Sequence, residues 1–195
     1  METAQWTNQQ IVVIGAARQG LALTRFFLLR GANVILNDRS DECALEHTIA
    51  EMESWQNAHE EHITGSLDWV LGEHPESILE STSLVCVSGG VPLVLPIIRT
   101  AKERGIPITN DSELFMQAVP CPVIGITGSA GKTTTTTLLG EILTNNLTTD
   151  TCKVWVGGNI GNPLIEQVHL MRPTDLVLLE LSSFQLDLMQ TSPHI

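Results

Sequence analysis

The pattern of apolar and polar positions in the first third of the chain predicts a strand, a helix and a second strand. Residues 11–14 form a short apolar run, residues 21–29 carry apolar side chains at near-helical spacing, and residues 32–36 form another apolar run. Glycines lie between these segments. Such tight connections are typical of a parallel sheet, so we expect an α/β fold.

The middle of the chain has a weaker pattern. Residues 40–83 show no clean period, and we expect a helix and loops there. The pattern then becomes clear again, and it predicts strand 84–87, helix 92–104, strand 106–109 and a helix that includes Phe115 and Met116. We expect Pro96 to delay or kink the start of the helix at 92–104.

Two prolines on either side of Cys121 separate these elements from a new strand at residues 123–126. Prolines and short polar stretches are typical of domain boundaries. We therefore predict a first domain over residues 1–118 and a second over residues 119–195.

The second domain begins with a strand, a glycine loop and a helix. We expect one side of that helix to be apolar, formed by Leu138, Leu139, Ile142 and Leu143. Strands are predicted at 153–156 and 175–181. A parallel sheet with one helix leaves apolar surface uncovered, so we expect the chain to be the front part of a longer protein.

Charge and composition exclude some functions. The chain has 22 acidic and 10 basic side chains, a formal net charge of −12, and no compact basic patch, which argues against nucleic-acid binding. The polar start of the chain lacks the features of an export signal, and no apolar run is long enough for a membrane span. We expect a cytoplasmic protein whose four scattered cysteines are buried apolar residues.

The strongest chemical signal is the segment 125–133, Gly-Ile-Thr-Gly-Ser-Ala-Gly-Lys-Thr, between a strand and a helix. Small residues let backbone N–H groups turn toward phosphate oxygens, and the start of the helix adds positive partial charge. Lys132 adds a full charge and Thr133 can hold a magnesium ion. The strict P-loop pattern would have glycine at Ile126, which leaves a structural turn as the alternative. We predict an ATP site formed by Gly128, Ser129, Ala130, Gly131, Lys132, Thr133 and Thr134.

A second signal is the segment 15–20, Gly-Ala-Ala-Arg-Gln-Gly, with Asp38 after the next strand. It resembles a dinucleotide-binding fingerprint, but the methyl group of Ala17 would crowd a pyrophosphate. Three interpretations remain: an NAD site, a site for a nucleotide-linked substrate in which Asp38 accepts hydrogen bonds, and a plain tight turn.

The third signal is Glu180, at the end of an apolar strand. In a domain with a phosphate loop, an acid at this point is well placed to hold a metal ion, whereas without the loop it would be a solvent-facing cap. Residues 157–162 by themselves indicate only a turn. Of the threonines 133–137, we expect a role only for the first two, and we expect the histidines, including His47, His62, His74 and His169, to be surface residues.

These segments occur in an order that resembles the Mur ligase family, over nearly the whole chain. The motifs are 15–20, 88–92, 110–115, 127–134, 157–161 and 180–186. Residues 180–186 in particular resemble the members of the family that add D-glutamate. The family usually has asparagine where this chain has Ala130.

The resemblance implies a Rossmann-like first domain that binds UDP-N-acetylmuramoyl-L-alanine, followed by the first part of a P-loop domain that binds ATP and Mg²⁺. It implies substrate contacts by Arg18, Gln19, Asp38, Arg39, Ser88, Gly89, Asn159 and Ser182. It also implies catalytic roles for Lys132 and Glu180 and metal ligation by Thr133 and Glu180. The γ-phosphoryl group would pass to the substrate carboxylate, and the amine of D-glutamate would attack the acyl phosphate.

The resemblance also implies that the third domain of the family, which binds the amino acid, lies beyond Ile195. We therefore expect a monomer that is inactive alone. Two alternatives to the ligase remain at this point: an NAD-dependent dehydrogenase-like binding domain and a P-loop kinase or ATPase module.

Overall fold

The computed structural model describes residues 6–193. The chain forms two compact units, divided between Asp111 and Ser112. The predicted domain limits, 1–118 and 119–195, place the division at the end of the helix Asp111–Ala118 and not at its start. These limits remain a prediction.

The first unit is built around a five-stranded parallel sheet in the order β3-β2-β1-β4-β5. Its strands are β1 (Gln10–Ile14), β2 (Asn33–Asp38), β3 (Leu67–Leu71), β4 (Thr82–Val87) and β5 (Ile108–Thr109). Its helices are α1 (Arg18–Leu28), α2 (Glu42–Ala58) and α3 (Pro96–Glu103), with 3-10 turns at Glu60–His62 and Glu76–Leu79.

The turn from β1 into α1 depends on close backbone packing. The apolar residues of β1, Ile11 to Ile14, are completely buried in the middle of the sheet. A methyl group at Gly20 would overlap the carbonyl oxygen of Gly15, so only glycine lets the first turn of α1 lie against the end of β1. The side chains of Phe26 and Phe27, in the last turn of α1, are buried.

Three details of the first unit can be compared with the prediction. Strand β3 was not predicted, and it lies in the stretch where the sequence shows no period. The predicted helix in that stretch exists as α2, but it buries only Met52, which explains its weak apolar pattern. Helix α3 begins at Pro96, so the delayed start expected at this proline is confirmed. Proline has no N–H group and therefore fits the first helical position.

The second unit contains a three-stranded parallel sheet in the order β6-β8-β7. The strands are β6 (Val123–Ile126), β7 (Val154–Gly158) and β8 (Leu176–Glu180). The helices are α4 (Asp111–Ala118), whose first residue belongs to the first unit, α5 (Lys132–Leu147) and α6 (Ser183–Leu186), and Leu164–Leu170 is a 3-10 helix. The predicted α/β class with parallel sheets is confirmed.

The predicted apolar side of α5 is wrong for Leu138 and Ile142, whereas Leu139 and Leu143 are half-buried. Leu138 and Ile142 are 56% and 57% exposed, and the buried residues of the helix are Thr136 and Gly140. A methyl group at Gly140 would lie 3.0 Å from the side chain of Val156. The small residues let α5 approach β7 closely, and this turns the larger leucine and isoleucine side chains outward.

The cysteines are all free thiols. Cys86 and Cys121 are buried, as predicted, and burial raises the pKa of the Cys121 thiol to about 11. The prediction is wrong for Cys43, which is exposed on α2, and Cys152 is half-buried.

None of the helices within residues 6–193 has both the length and the apolar character needed to cross a membrane.

Candidate functional site

The loop between β6 and α5 presents an open helix start. Residues 127–131 are exposed, and Gly131, in the left-handed region at φ +75°, is the N-cap of α5. Gly128 also has a positive φ, +146°. The first N–H groups of a helix have no partner within the helix, so this end of α5 favours an anion.

The side chain of Lys132 folds back over this loop. Its Nζ donates to the carbonyl oxygen of Gly128 at 2.9 Å. The ammonium is therefore held beside the glycine turn, and Ser129, Thr133 and Thr134 around it are exposed. All the predicted ATP-binding residues lie on this loop or the first turn of α5, where a ligand can reach them, and their binding role remains a prediction.

Glu180 lies at the same edge of the sheet as the loop. It ends the central strand β8, and its Cα is paired with Ile126 on one side and Gly158 on the other. The backbone continues this contact, since Leu181 donates to the carbonyl oxygen of Ile126 at 2.8 Å. The parallel pairing of β6 with β8 thus places the glycine loop that follows β6 and the side chain of Glu180 at the same edge of the sheet.

The carboxylate of Glu180 is buried, with only 1% exposure. Its Oε1 accepts a hydrogen bond from Nδ2 of Asn159 at 3.1 Å, and Oε2 has no hydrogen-bond partner within residues 6–193. A buried carboxylate oxygen without a partner is costly, and it suits a magnesium ion. No cluster of three His, Cys, Asp or Glu side chains that could hold a metal occurs in the described part of the chain. A magnesium ion here would therefore also need phosphate oxygens and water.

Asn159 and Ser182, predicted to contact the substrate, have structural partners. Asn159 binds Glu180 through both its side chain and its backbone N–H. Ser182 is the N-cap of α6, where its hydroxyl oxygen and Gln185 form a capping box. Both residues follow the carboxyl ends of strands, and their substrate contacts remain a prediction.

The first unit has its own cavity, of about 250 Å³. It lies at the carboxyl ends of β1, β2 and β4, where ligands bind in open parallel sheets. Its walls are formed by Gly15, Asp38, Arg39, His74, Gly90, Val91, Pro92 and Leu95. Two of the predicted substrate contacts, Asp38 and Arg39, are among them.

Asp38 joins two turns at this cavity. Its Oδ2 accepts from the backbone N–H of Ala16, and its Oδ1 accepts from that of Ser40, each at 2.8 Å. Partial burial is the largest influence and raises the pKa of Asp38, but these hydrogen bonds outweigh it and leave the pKa below its usual value. Asp38 is therefore an ionised group on the cavity wall at neutral pH.

The other predicted contacts of the first unit do not line the cavity. Gln19 accepts a hydrogen bond through Oε1 from the backbone N–H of Gly89 at 2.8 Å. Ser88 is buried, and its Oγ has no partner within the described residues. Arg18 is exposed at the start of α1. The structure thus links Gln19 to Gly89, and it leaves a role for the four residues in binding a substrate as a prediction.

His74 was missed by the sequence analysis. It is half-buried, lines the cavity and forms a hydrogen bond with Asn37, so the expectation of a surface residue is wrong for it. His47, His62 and His169 are exposed, as expected. The sequence does not indicate this position because it does not reveal strand β3. His74 follows β3, and the pairing of β3 with β2 brings it next to Asn37 of β2.

Two family descriptions match the chain. Residues 9–110 match the Mur ligase MurD-like N-terminal domain, and residues 126–195 match the Mur ligase middle domain. Among curated proteins, the chain is 39% identical to the UDP-N-acetylmuramoylalanine–D-glutamate ligase of Pelotomaculum thermopropionicum over 95% of its length. It is 40% identical to the enzyme of the same name from Geotalea uraniireducens over 92% of its length.

The chain spans 38% and 37% of the lengths of these two relatives. Solved structures that resemble it include a pseudomurein peptide ligase type C from Methanothermus fervidus, at 24% identity, with a TM-score of 0.42 and coverage of 91% of this chain and 33% of that one. A murein peptide ligase from Psychrobacter arcticus is 17% identical, with a TM-score of 0.46 and coverage of 91% and 39%.

Proposed function

The chain belongs to the Mur ligase family, and from this we propose that it supplies the nucleotide-binding parts of a ligase that uses ATP to join D-glutamate to UDP-N-acetylmuramoyl-L-alanine. The names of its relatives support this substrate pair. The observation that carries the proposal is the pairing of the Lys132 loop with the buried Glu180 at one edge of the second sheet. The reaction belongs to cytoplasmic synthesis of the peptidoglycan precursor, on which cell shape and division depend.

The loop of the second unit would bind the phosphates of ATP. Its exposed N–H groups and the start of α5 favour an anion, and Lys132 is already held at the turn by Gly128. On binding, the ammonium would exchange this carbonyl oxygen for a phosphate oxygen. A charge-assisted bond to phosphate is stronger than one to a neutral carbonyl, so this exchange is favourable.

Glu180 and Thr133 would hold the magnesium ion. The free Oε2 of Glu180 supplies one negatively charged ligand, and the exposed Thr133 supplies a hydroxyl. When bound, magnesium neutralises charge on the phosphates of ATP. Asn159 would keep the carboxylate of Glu180 in a fixed orientation through its bond to Oε1.

The first unit would bind the uridine diphosphate part of the substrate. Its cavity is smaller than the roughly 300–1,000 Å³ of sites that enclose a whole drug-sized ligand, so at about 250 Å³ it suits one group, such as a nucleobase. The ionised Asp38 and the cationic Arg39 provide an acceptor and a donor on its wall.

The reaction proceeds in two steps. The substrate carboxylate attacks the γ-phosphorus of ATP, the bond to the bridging oxygen breaks, and ADP leaves. The amine of D-glutamate then attacks the acyl phosphate and releases phosphate. Lys132 would offset the negative charge of the phosphoryl group during transfer, while Asn159 and Ser182 would orient the muramoyl end of the substrate.

Isothermal titration calorimetry tests the proposal. We expect the 195-residue chain to bind ATP with Mg²⁺ and to bind UDP, and Lys132→Ala to weaken ATP binding by at least about tenfold, as expected for loss of a charge-assisted bond. Lys102→Ala, at an exposed lysine of α3, is the matched control. Binding of NADH without ATP or UDP would favour the dehydrogenase-like alternative. ATP binding that ignores Lys132→Ala would refute the assignment of the loop.

A further inference from the structure

A buried amide fixes the orientation of the His74 ring in the first unit. Asn37 is fully buried, and its Nδ2 donates to the carbonyl oxygens of Val70 at 2.7 Å and Glu73 at 2.8 Å. Carbonyl oxygens can only accept hydrogen bonds. The amide nitrogen of Asn37 must therefore face these two groups, and its Oδ1 must face His74.

This contact selects one tautomer of the imidazole. Oδ1 of Asn37 lies 2.6 Å from Nδ1 of His74, and because Oδ1 only accepts, Nδ1 must carry the hydrogen. In a neutral imidazole the other nitrogen is then an acceptor. Nε2 has no hydrogen-bond partner within residues 6–193, and the ring lines the cavity.

This inference rests on the proposed function, which assigns a uridine diphosphate ligand to this cavity. We infer that Nε2 of His74 accepts the N3–H of uracil and so selects uridine over cytidine ligands. N3 of uracil is a donor, whereas N3 of cytosine has a lone pair that would face the lone pair of Nε2. Such an unpaired contact between two acceptors disfavours the wrong base.

The other groups on the wall are less suited to this selection. Each oxygen of Asp38 already accepts one backbone N–H group, from Ala16 or Ser40, and keeps one lone pair for a ligand. Unlike Nε2 of His74, this carboxylate is therefore engaged with the protein before a ligand binds. Arg39 can only donate, and it can bind a carbonyl oxygen of either base. Among the cavity side chains, His74 in its neutral form offers an acceptor, Nε2, without another partner in the described chain.

Binding measurements with UDP and CDP in mildly alkaline buffer test this role. We expect the unaltered chain to prefer UDP by about tenfold, and His74→Phe to reduce this preference to less than about twofold. His47→Phe, at an exposed histidine of α2, should keep the full preference. UDP binding with an unchanged preference in His74→Phe would overturn this inference alone. A lack of UDP binding by the unaltered chain would overturn the proposed function and this inference with it.

A second measurement does not depend on how His74→Phe folds. Long-range ¹H–¹⁵N correlation spectra of the unaltered chain distinguish a protonated ring nitrogen from a bare one. The His74 signals are assigned by elimination, as those that persist when each of the other histidines is replaced singly by phenylalanine. A hydrogen on Nδ1 and a bare Nε2 would support the inference, and a hydrogen on Nε2 with a bare Nδ1 would overturn it.

Discussion

Asn159 donates from Nδ2 to Oε1 of Glu180 across 3.1 Å and leaves the second oxygen of the same buried carboxylate without a protein partner in residues 6–193. The two oxygens therefore have different environments. One is fixed by the loop after β7, and the other is buried without a hydrogen-bond partner among the described residues. This asymmetry gives the amide a role both in the stability of the unit and in the orientation of the acid.

Replacement of Asn159 by alanine tests this role. The carboxylate of Glu180 would lose its one side-chain donor while it remains buried, so we expect the free energy of unfolding to fall by about 1–3 kcal/mol. Urea denaturation measures this. Asn146→Ala, at an exposed residue of α5, should have a smaller effect. Equal losses in the two variants would show that the bond to Glu180 contributes nothing special.

Gly158, the last residue of β7, and Gly161, in the loop that follows, form a matched pair of glycines. Both have positive φ, +105° and +62°, which costs a residue with a side chain about 1–2 kcal/mol. A methyl group at Gly158 would also overlap the carbonyl oxygen of Glu180, whereas one at Gly161 meets open space. In thermal unfolding, Gly158→Ala should therefore lower the midpoint clearly more than Gly161→Ala does, and a reversed order would contradict the close packing.

Thr136 and Thr137 provide a second matched pair, on α5. The hydroxyl of Thr136 is buried and has no hydrogen-bond partner within residues 6–193, while Thr137 is exposed. Thr136→Val removes a buried polar atom without a partner and should stabilise the chain by about 1 kcal/mol. Thr137→Val makes the same change in helix propensity and should have little effect in urea denaturation. Destabilisation by Thr136→Val would indicate a partner for the hydroxyl.

The stability of the second unit should depend on pH through Asp175. This buried carboxylate accepts hydrogen bonds from Nε1 of Trp155 and from the backbone N–H groups of Lys153 and Arg172. Burial is the largest influence and raises the pKa of Asp175, but the hydrogen bonds outweigh it, led by that of Trp155, and the pKa lies below its usual value.

Because the folded pKa of Asp175 is below the unfolded value of about 3.9, the ionised group stabilises the fold above that pH. The contribution is lost as the pH falls through the folded pKa. We expect Asp175→Asn to be less stable at neutral pH and to lose less stability between about pH 5 and pH 3 than the unaltered chain. Asp150→Asn, at an exposed site, should follow the unaltered chain. Parallel pH profiles for Asp175→Asn and the unaltered chain would contradict this.

The sequence predicts the parts of the fold that depend on local chemistry. The run from β6 through the glycine loop to Lys132 was found because a strand, small residues and a helix follow one another directly. The position of Glu180 at the end of β8 is predictable because it ends a continuous apolar run, and its role as a metal ligand stays a prediction. Both belong to one sheet edge, and parallel pairing makes that position predictable.

The predictions fail where packing between segments distant in the sequence determines which side chains are buried. Leu138 and Ile142 fit a helical apolar side, but the close approach of Gly140 to Val156 rotates them outward. His74 lies in the stretch without a period, and its contact with Asn37 exists only because β3 pairs with β2, with Val70 opposite Asn37. No local pattern around His74 indicates that pairing.

The tight approach of Gly20 to the Gly15 carbonyl oxygen limits how the first unit can be redesigned. Protein engineers who want the cavity to accept another nucleotide can vary Arg39 or Leu95, whose side chains form its wall. They must keep Gly20, since any larger residue would push the helix away from the strand and open the wall that the new ligand needs.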